Sequence, residues 1–206
     1  MGVREELAER DHVVVALDGP VASGLAVVPV AERLRVLVAE GGLPRSVART
    51  DDPFVVLAHA ASIGPATEQA VYAQWRRVEH EVVATARATT GVRDAFAALT
   101  AAGVRITVVG ALDAAVLQSF LVLHGLEPHV HRIAGRAGRD RATLPPAPDL
   151  ITSVLHAGAA PVESCAFVGG TKPDLTAARA AGVTTYRHVP PGPDSPPTTW
   201  FDALAR

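Results

Sequence analysis

Four strand-length runs, VVVAL (13–17), RITVVG (105–110), CAFVGG (165–170) and TTYRHV (184–189), constrain this chain more than any other feature. They lack the apolar/polar alternation of a strand with one wet face, so they read as strands buried on both faces. Helical patterns separate and follow them: GVRDAFAALTAAG (91–103), LDAAVLQSFLVLHG (112–125), APDLITSVLHAG (147–158) and PDLTAARAAG (173–182). These carry apolar residues at three- and four-residue spacing and end in a glycine suited to a left-handed cap. Strand and helix in regular alternation predict an α/β fold, a parallel sheet covered on both faces by right-handed crossovers. A further short strand is expected near His129 to Ile133.

The interval 21–90 breaks the rhythm. It holds helical patterns only: VVPVAERLRVLVAEGG, then DDPFVVLAHAAS with Asp52 and Pro53 as a start signal, then the long PATEQAVYAQWRRVEHEVVATARAT. The expected organisation is therefore a sheet domain of residues 1–20 and 91–206 with a helical cap, 21–90, inserted after the first strand. Near the other end, PPGPDSPP reads as a stiff surface segment, with Trp200 and Phe201 pinning the terminus.

Charge narrows the partners. Nineteen basic and 21 acidic residues give a net charge of −2 across 206 residues, which offers no electrostatic footprint for nucleic acid or an anionic membrane. The expected partner is a small molecule, with a protein partner left open. The first residues, MGVREELAERDH, lack a signal peptide or membrane span, so a cytoplasmic location is expected. The single cysteine, Cys165, lies in a buried-strand pattern and reads as core packing rather than as a nucleophile.

Strand one ending in D-G-P, the helical insertion, the PPAPD helix start (145–149) and the GGTKPD loop (169–174) follow one another in an order that resembles the haloacid dehalogenase (HAD) superfamily, including its actinobacterial phosphatase-like members. The resemblance spans nearly the whole chain and is most persuasive from PPAPDLITSVLHAG through SCAFVGG to the AARAAG helix. It implies a HAD-like Rossmannoid core with a helical cap. It also implies a nucleophilic carboxylate at position 16, an acid/base carboxylate at Asp18, a hydroxyl at 110, a lysine at 145 and loop carboxylates at 170 and 174, the carboxylates holding Mg²⁺. This chain has Ala16, Gly110, Pro145 and Gly170 instead, keeping only Asp18 and Asp174. A methyl group cannot form a phosphoaspartyl bond, and a hard cation deprived of two carboxylates keeps too few anionic oxygens. No cofactor is expected and Mg²⁺ in particular is not. The resemblance thus leads to a pseudophosphatase whose strand and helix patterns are intact.

Ligands of an open parallel sheet bind at the C-terminal ends of its strands. Asp18 is the candidate catalytic residue there: if the cap excludes water, desolvation raises its pKa and lets it exchange protons near neutrality. Its other role is to hydrogen-bond the following turn, and the sequence leaves both open. Candidate ligand contacts are Ala16, Gly19, Gly110, Ala111, Gly170, Thr171, Lys172 and Asp174, with Lys172 a partial substitute for the missing lysine or else a solvated loop residue. No metal ligands are assigned. Asp113 reads as a helix cap, His129 and His131 as a weak H-x-H pattern on a surface strand, and Arg136, Arg139 and Arg141 as a solvated basic loop. His59 and His80 fall on cap helices facing either cleft or solvent, while Tyr72 and Trp75 read as core or cleft lining. Three functions are compatible with this pattern: a small-molecule enzyme running a cyclisation, dehydration or isomerisation in a biosynthetic pathway, a silent metabolite- or protein-binding relative, or a weak phosphatase with displaced groups.

Overall fold

A computed structural model describes residues 2–40, 42–138, 140–158, 160–190 and 199–205. Its strands are β1 (His12–Ala16), β2 (Ala22–Ser23), β3 (Arg87–Ala88), β4 (Arg105–Asp113), β5 (Arg132–Arg136), β6 (Cys165–Gly169), β7 (Thr184–His188) and β8 (Leu204–Ala205). Six of them form one sheet in the order β5-β4-β1-β6-β7-β8, parallel except for β8. β1 lies at the centre because its side chains are apolar on both sides. Val13 and Val15 enter one buried cluster while Val14 and Ala16 enter another on the opposite face.

The helices are α1 (Val3–Ala8), α2 (Val30–Arg35), α3 (Arg45–Ala48), α4 (Pro53–Ile63), α5 (Pro65–Thr85), α6 (Val92–Ala101), α7 (Ala114–Leu123), α8 (Asp149–Gly158) and α9 (Lys172–Ala180). Phe96 and Leu99 of α6 and Leu117 and Phe120 of α7 cover one face of the sheet. Ile151 and Val154 of α8 and Ala177 and Ala178 of α9 cover the other. The alternation of patterns in the sequence thus produces the three-layer α/β architecture it predicts. Helices α2, α4 and α5 bury a third cluster of their own, around Leu34, Leu57, Val71 and Trp75.

Two local expectations need correction. The interval after β1 is not purely helical: it begins and ends in an antiparallel ribbon pairing Ala22 with Ala88 and Ser23 with Arg87. Two-residue strands are too short to leave a period in the sequence. The strand expected near His129 begins at Arg132, and His129 instead closes a 3₁₀ turn, so the two histidines share no strand face. The short helix α1, with buried Leu7, carries too few turns to show periodicity. Residues 191–197 of PPGPDSPP lie outside the described residues. Trp200 is buried, and its Nε1–H donates to the Pro20 carbonyl at 2.8 Å, tying the chain's last described segment to the turn after β1.

His12, at the far end of β1 from that turn, is sealed into the core. Its Nε2 shares a 2.8 Å hydrogen bond with the Thr107 hydroxyl, and burial, with nearby Arg105 adding to it, pushes its pKa from 6.5 down to about 4. Between those values the unfolded chain takes up a proton that the folded chain refuses, so stability falls as pH drops through that window. Urea titrations from pH 7 to 4 are expected to show this loss in the wild type and a flatter slope in His12→Gln. Equal slopes in the two proteins would contradict it.

Candidate active site

β1 ends in a tight turn that puts one carboxylate at the mouth of the sheet. Leu17 still pairs with β4, its N–H donating to the Val109 carbonyl at 2.8 Å. The chain then reverses: Ala22 N–H donates to Leu17 O at 2.7 Å and Gly19 N–H to Ala22 O at 2.9 Å. Gly19 adopts φ +95°, a conformation that L side chains rarely take. The Thr89 hydroxyl fastens the turn from the returning chain by donating to Gly19 O at 2.7 Å.

This turn packs directly on the loop after β6. A methyl group built on Gly19 would lie 3.0 Å from the Gly170 α-carbon, and one built on Gly170 would collide with the Asp18 carbonyl oxygen. Position 170 therefore has no room for a side chain while the turn keeps this shape. Gly110 is different: a methyl group there meets only flexible Leu117 at 3.2 Å and Leu17 at 3.3 Å.

A cavity of about 360 Å³ opens beside the turn. Ala16, Asp18, Gly110, Ala111, Thr171 and Asp174, all marked by sequence, line it together with Pro145, the position of the missing lysine. Leu25, Val109, Leu112 and Pro173 make the remaining wall largely apolar. Gly19, Gly170 and Lys172 are not part of the lining, and Lys172 is the exposed first residue of α9, so it does not replace the lost lysine in this arrangement. Ala111 and Pro145 also border an outer cleft where Asp52 and Phe54 of the insertion face Arg141 and Leu144 of the sheet domain.

Two carboxyl groups thus line one largely apolar cavity, and no basic side chain is among its described lining residues. Desolvation raises the pKa of Asp18, with no donor or cation set against it, although the residue as a whole is exposed. Asp174 is half-buried. Burial pushes its carboxyl up, the Thr171 hydroxyl, donating to Oδ2 at 2.5 Å, holds it down, and the charge of Asp18 pushes it up again. Thr171 is also the N-cap of α9, accepting the Asp174 N–H at 3.3 Å.

These residues do not fit Mg²⁺. Position 16 offers a methyl group and position 170 has no space for a carboxylate, so only two carboxyls, Asp18 and Asp174, remain in the lining. Among the described residues no three acidic, histidine or cysteine side chains gather as a metal-binding group, the H-x-H pair included.

Sequence reasoning missed a polar cluster beside the cavity. Arg136, expected in a solvated loop, is only 1% exposed and pairs with Glu79 of α5 at 2.7 Å, its guanidinium 3.8 Å above the Trp75 ring. Arg141 pairs instead with Asp52, and Arg139 lies outside the described residues. Asp113 caps α7 as expected, accepting the Ala115 N–H at 2.9 Å, and in addition accepts the Tyr72 hydroxyl at 2.7 Å. The signal available in the sequence was the helical face shared by Tyr72, Trp75 and Glu79. His80 is exposed and His59 half-buried, and neither lines the cavity. Cys165 is buried, as its strand pattern implies.

A family model described as haloacid dehalogenase-like hydrolase matches residues 57–187, starting beyond β1. No curated protein matches the chain. Among solved structures, CbbY from Rhodobacter sphaeroides in complex with phosphate is similar with a TM-score of 0.60 and 17% identity, covering 89% of this chain and 87% of that one. A mutant of the same protein in complex with xylulose-1,5-bisphosphate gives a TM-score of 0.63 at 17% identity, with the same coverage of 89% and 87%. A HAD-superfamily hydrolase from Ehrlichia chaffeensis gives 0.56 at 12% identity and covers 94% of each chain. At these identities the likeness is one of fold.

The close approach at position 170 has a measurable consequence. Gly170→Ala is expected to destabilise the protein by about 1–3 kcal/mol, the usual cost of overpacking, whereas Gly110→Ala costs less because its nearest approaches, 3.2 Å to the end of the Leu117 side chain and 3.3 Å to the Leu17 β-carbon, are far milder than the collision with the Asp18 carbonyl. Denaturant midpoints check the order, and a Gly170→Ala protein as stable as the wild type would show that the turn does not set that contact.

Proposed function

Given that this chain belongs to the haloacid dehalogenase-like hydrolase family, we propose that it has left phosphoaspartyl chemistry and uses Asp18 as a metal-independent general acid/base. Its substrate is an uncharged or weakly charged small molecule held under a helical cap, residues 21–90. The reaction class is a cyclisation, dehydration or isomerisation within a biosynthetic pathway. Among the described residues no helix is long and apolar enough to cross a membrane, and we place the protein in the cytoplasm.

The observation that supports this reading is that Asp18 and Asp174 line one cavity with no basic side chain among its described lining residues. A phosphate monoester would bring a second concentration of negative charge to two carboxyls, with no lysine, hydroxyl at 110 or metal to offset it. A neutral substrate avoids that repulsion and gains from the apolar wall. The protonated carboxyl then donates to a leaving or carbonyl oxygen, and the ionised one removes a proton from carbon or a hydroxyl. Because both carboxyls are raised, the protonated partner persists to higher pH than an ordinary aspartate allows. Thr171 orients Asp174 through its hydroxyl. Catalytically silent ligand binding is the second reading, favoured by the exposure of Asp18 and by the engagement of Asp174 in its own helix cap.

Asp18→Asn separates the two. Incubation of each protein with a metabolite extract, followed by mass spectrometry, identifies molecules that are retained and molecules that are converted. The expected result is retained binding with conversion reduced by about 10²–10⁴-fold, the range of general acid/base contributions. Conversion at the wild-type rate would remove Asp18 from the chemistry. In a separate phosphate-release assay, added Mg²⁺ or EDTA is expected to change nothing, and robust turnover abolished by EDTA would overturn the assignment.

A further inference from the structure

Helix α5 crosses the seam between the insertion and the sheet domain, and one of its faces is built of polar and aromatic groups that all find partners on the other side. The Tyr72 hydroxyl donates to Asp113 Oδ2 at 2.7 Å and accepts the Gly138 N–H at 3.1 Å. Glu79 Oε2 accepts the Asp113 N–H at 3.1 Å, and Glu79 Oε1 accepts from Arg136 Nη2 at 2.7 Å. The Arg136 guanidinium lies over the Trp75 ring at 3.8 Å and near the Tyr72 ring at 5.0 Å. Side chains of the ion pair are 0% and 4% exposed.

The same contacts hold the cavity wall. β4 pairs regularly with β5 up to Val109, and its register then shifts before pairing resumes at Asp113. The segment between, Gly110 to Leu112, leaves the ladder and lines the cavity. Its end is fixed by Glu79, which takes the Asp113 N–H, and by the close packing of Gly135 against the Leu112 carbonyl. The orientation of α5 and the shape of the wall are therefore one variable.

Energetics decide which contact across the seam gives way. A displacement that parts Glu79 from Arg136 before water reaches both leaves a buried charge uncompensated, so this network holds or breaks as a unit. The Arg141–Asp52 pair, by contrast, has side chains 66% and 29% exposed and is worth little, because water replaces each partner as it leaves.

We propose that Tyr72, Trp75, Glu79, Asp113 and Arg136 form a latch that keeps the insertion in one orientation over the cavity, and that ligands exchange through the outer cleft at Asp52 and Arg141 instead of by a swing of the insertion on its β2–β3 ribbon. The latch fixes cavity shape whatever chemistry occurs inside, so its test needs no substrate. Spin labels at Ser46→Cys and Thr184→Cys, exposed sites on either side of the seam, report the relative position of the two parts by double electron–electron resonance. The wild-type background is expected to give one narrow distance distribution. Arg136→Met is expected to give a broad or two-peaked one, with backbone hydrogen exchange in α5 faster by at least about tenfold while α9 stays as protected as before. Arg141→Ala is expected to keep the narrow distribution. If Arg136→Met does not fold, Tyr72→Phe, which removes one hydroxyl, is expected to broaden the distribution to a smaller degree. Two distances in the wild type, an unbroadened distribution in both latch variants, or broadening in Arg141→Ala would each overturn the proposal.

Discussion

The contact between the turn after β1 and the loop after β6 is the constraint on which the rest of the site depends. Gly170 lies so close to the Asp18 carbonyl that neither segment can move independently, and Gly19 completes the fit with a left-handed backbone. Trp200 and Thr89 then fasten the same turn from two other parts of the chain. A carboxylate at position 170 would demand a different turn. The lack of room for a carboxylate at 170 and the placement of Asp18 are in this sense a single structural fact.

Electrostatics are set by that geometry. With a methyl group at 16, a glycine at 170 and a proline at 145, no basic side chain among the described lining residues balances the charge of Asp18 and Asp174. Desolvation is then the leading influence on both carboxyls and moves both in the same direction. A conventional phosphoryl site keeps its carboxylates ionised by surrounding them with cations. Here the surroundings favour the proton, which is the condition that the proposed acid/base role of Asp18 requires.

Much of the sheet was legible in the sequence because its central strands are buried on both faces, so VVVAL and CAFVG stand out without any period. The residues Ala16, Asp18, Gly110, Thr171 and Asp174 surround one cavity because each sits at or just beyond a strand end, and strand ends converge in a parallel sheet. Spacing could not supply the other side of each contact. Glu79 and Arg136 are separated by the helices α6 and α7 and the strands β3 and β4, and Arg136 stands beside a polar loop that makes it look solvated. Lys172 occupies the right loop, yet as the first residue of α9 it is exposed outside the cavity. The crowding that forbids a side chain at 170 is likewise a three-dimensional fact behind a plain glycine.

The most direct test of the account is the titration of the Asp18 and Asp174 carboxyl carbons by ¹³C NMR, with and without saturating Mg²⁺. Both are predicted to titrate above the ordinary aspartate range, with midpoints that the metal leaves in place. A Mg²⁺-induced fall in either midpoint would reveal a carboxylate ligating the ion and would contradict the account.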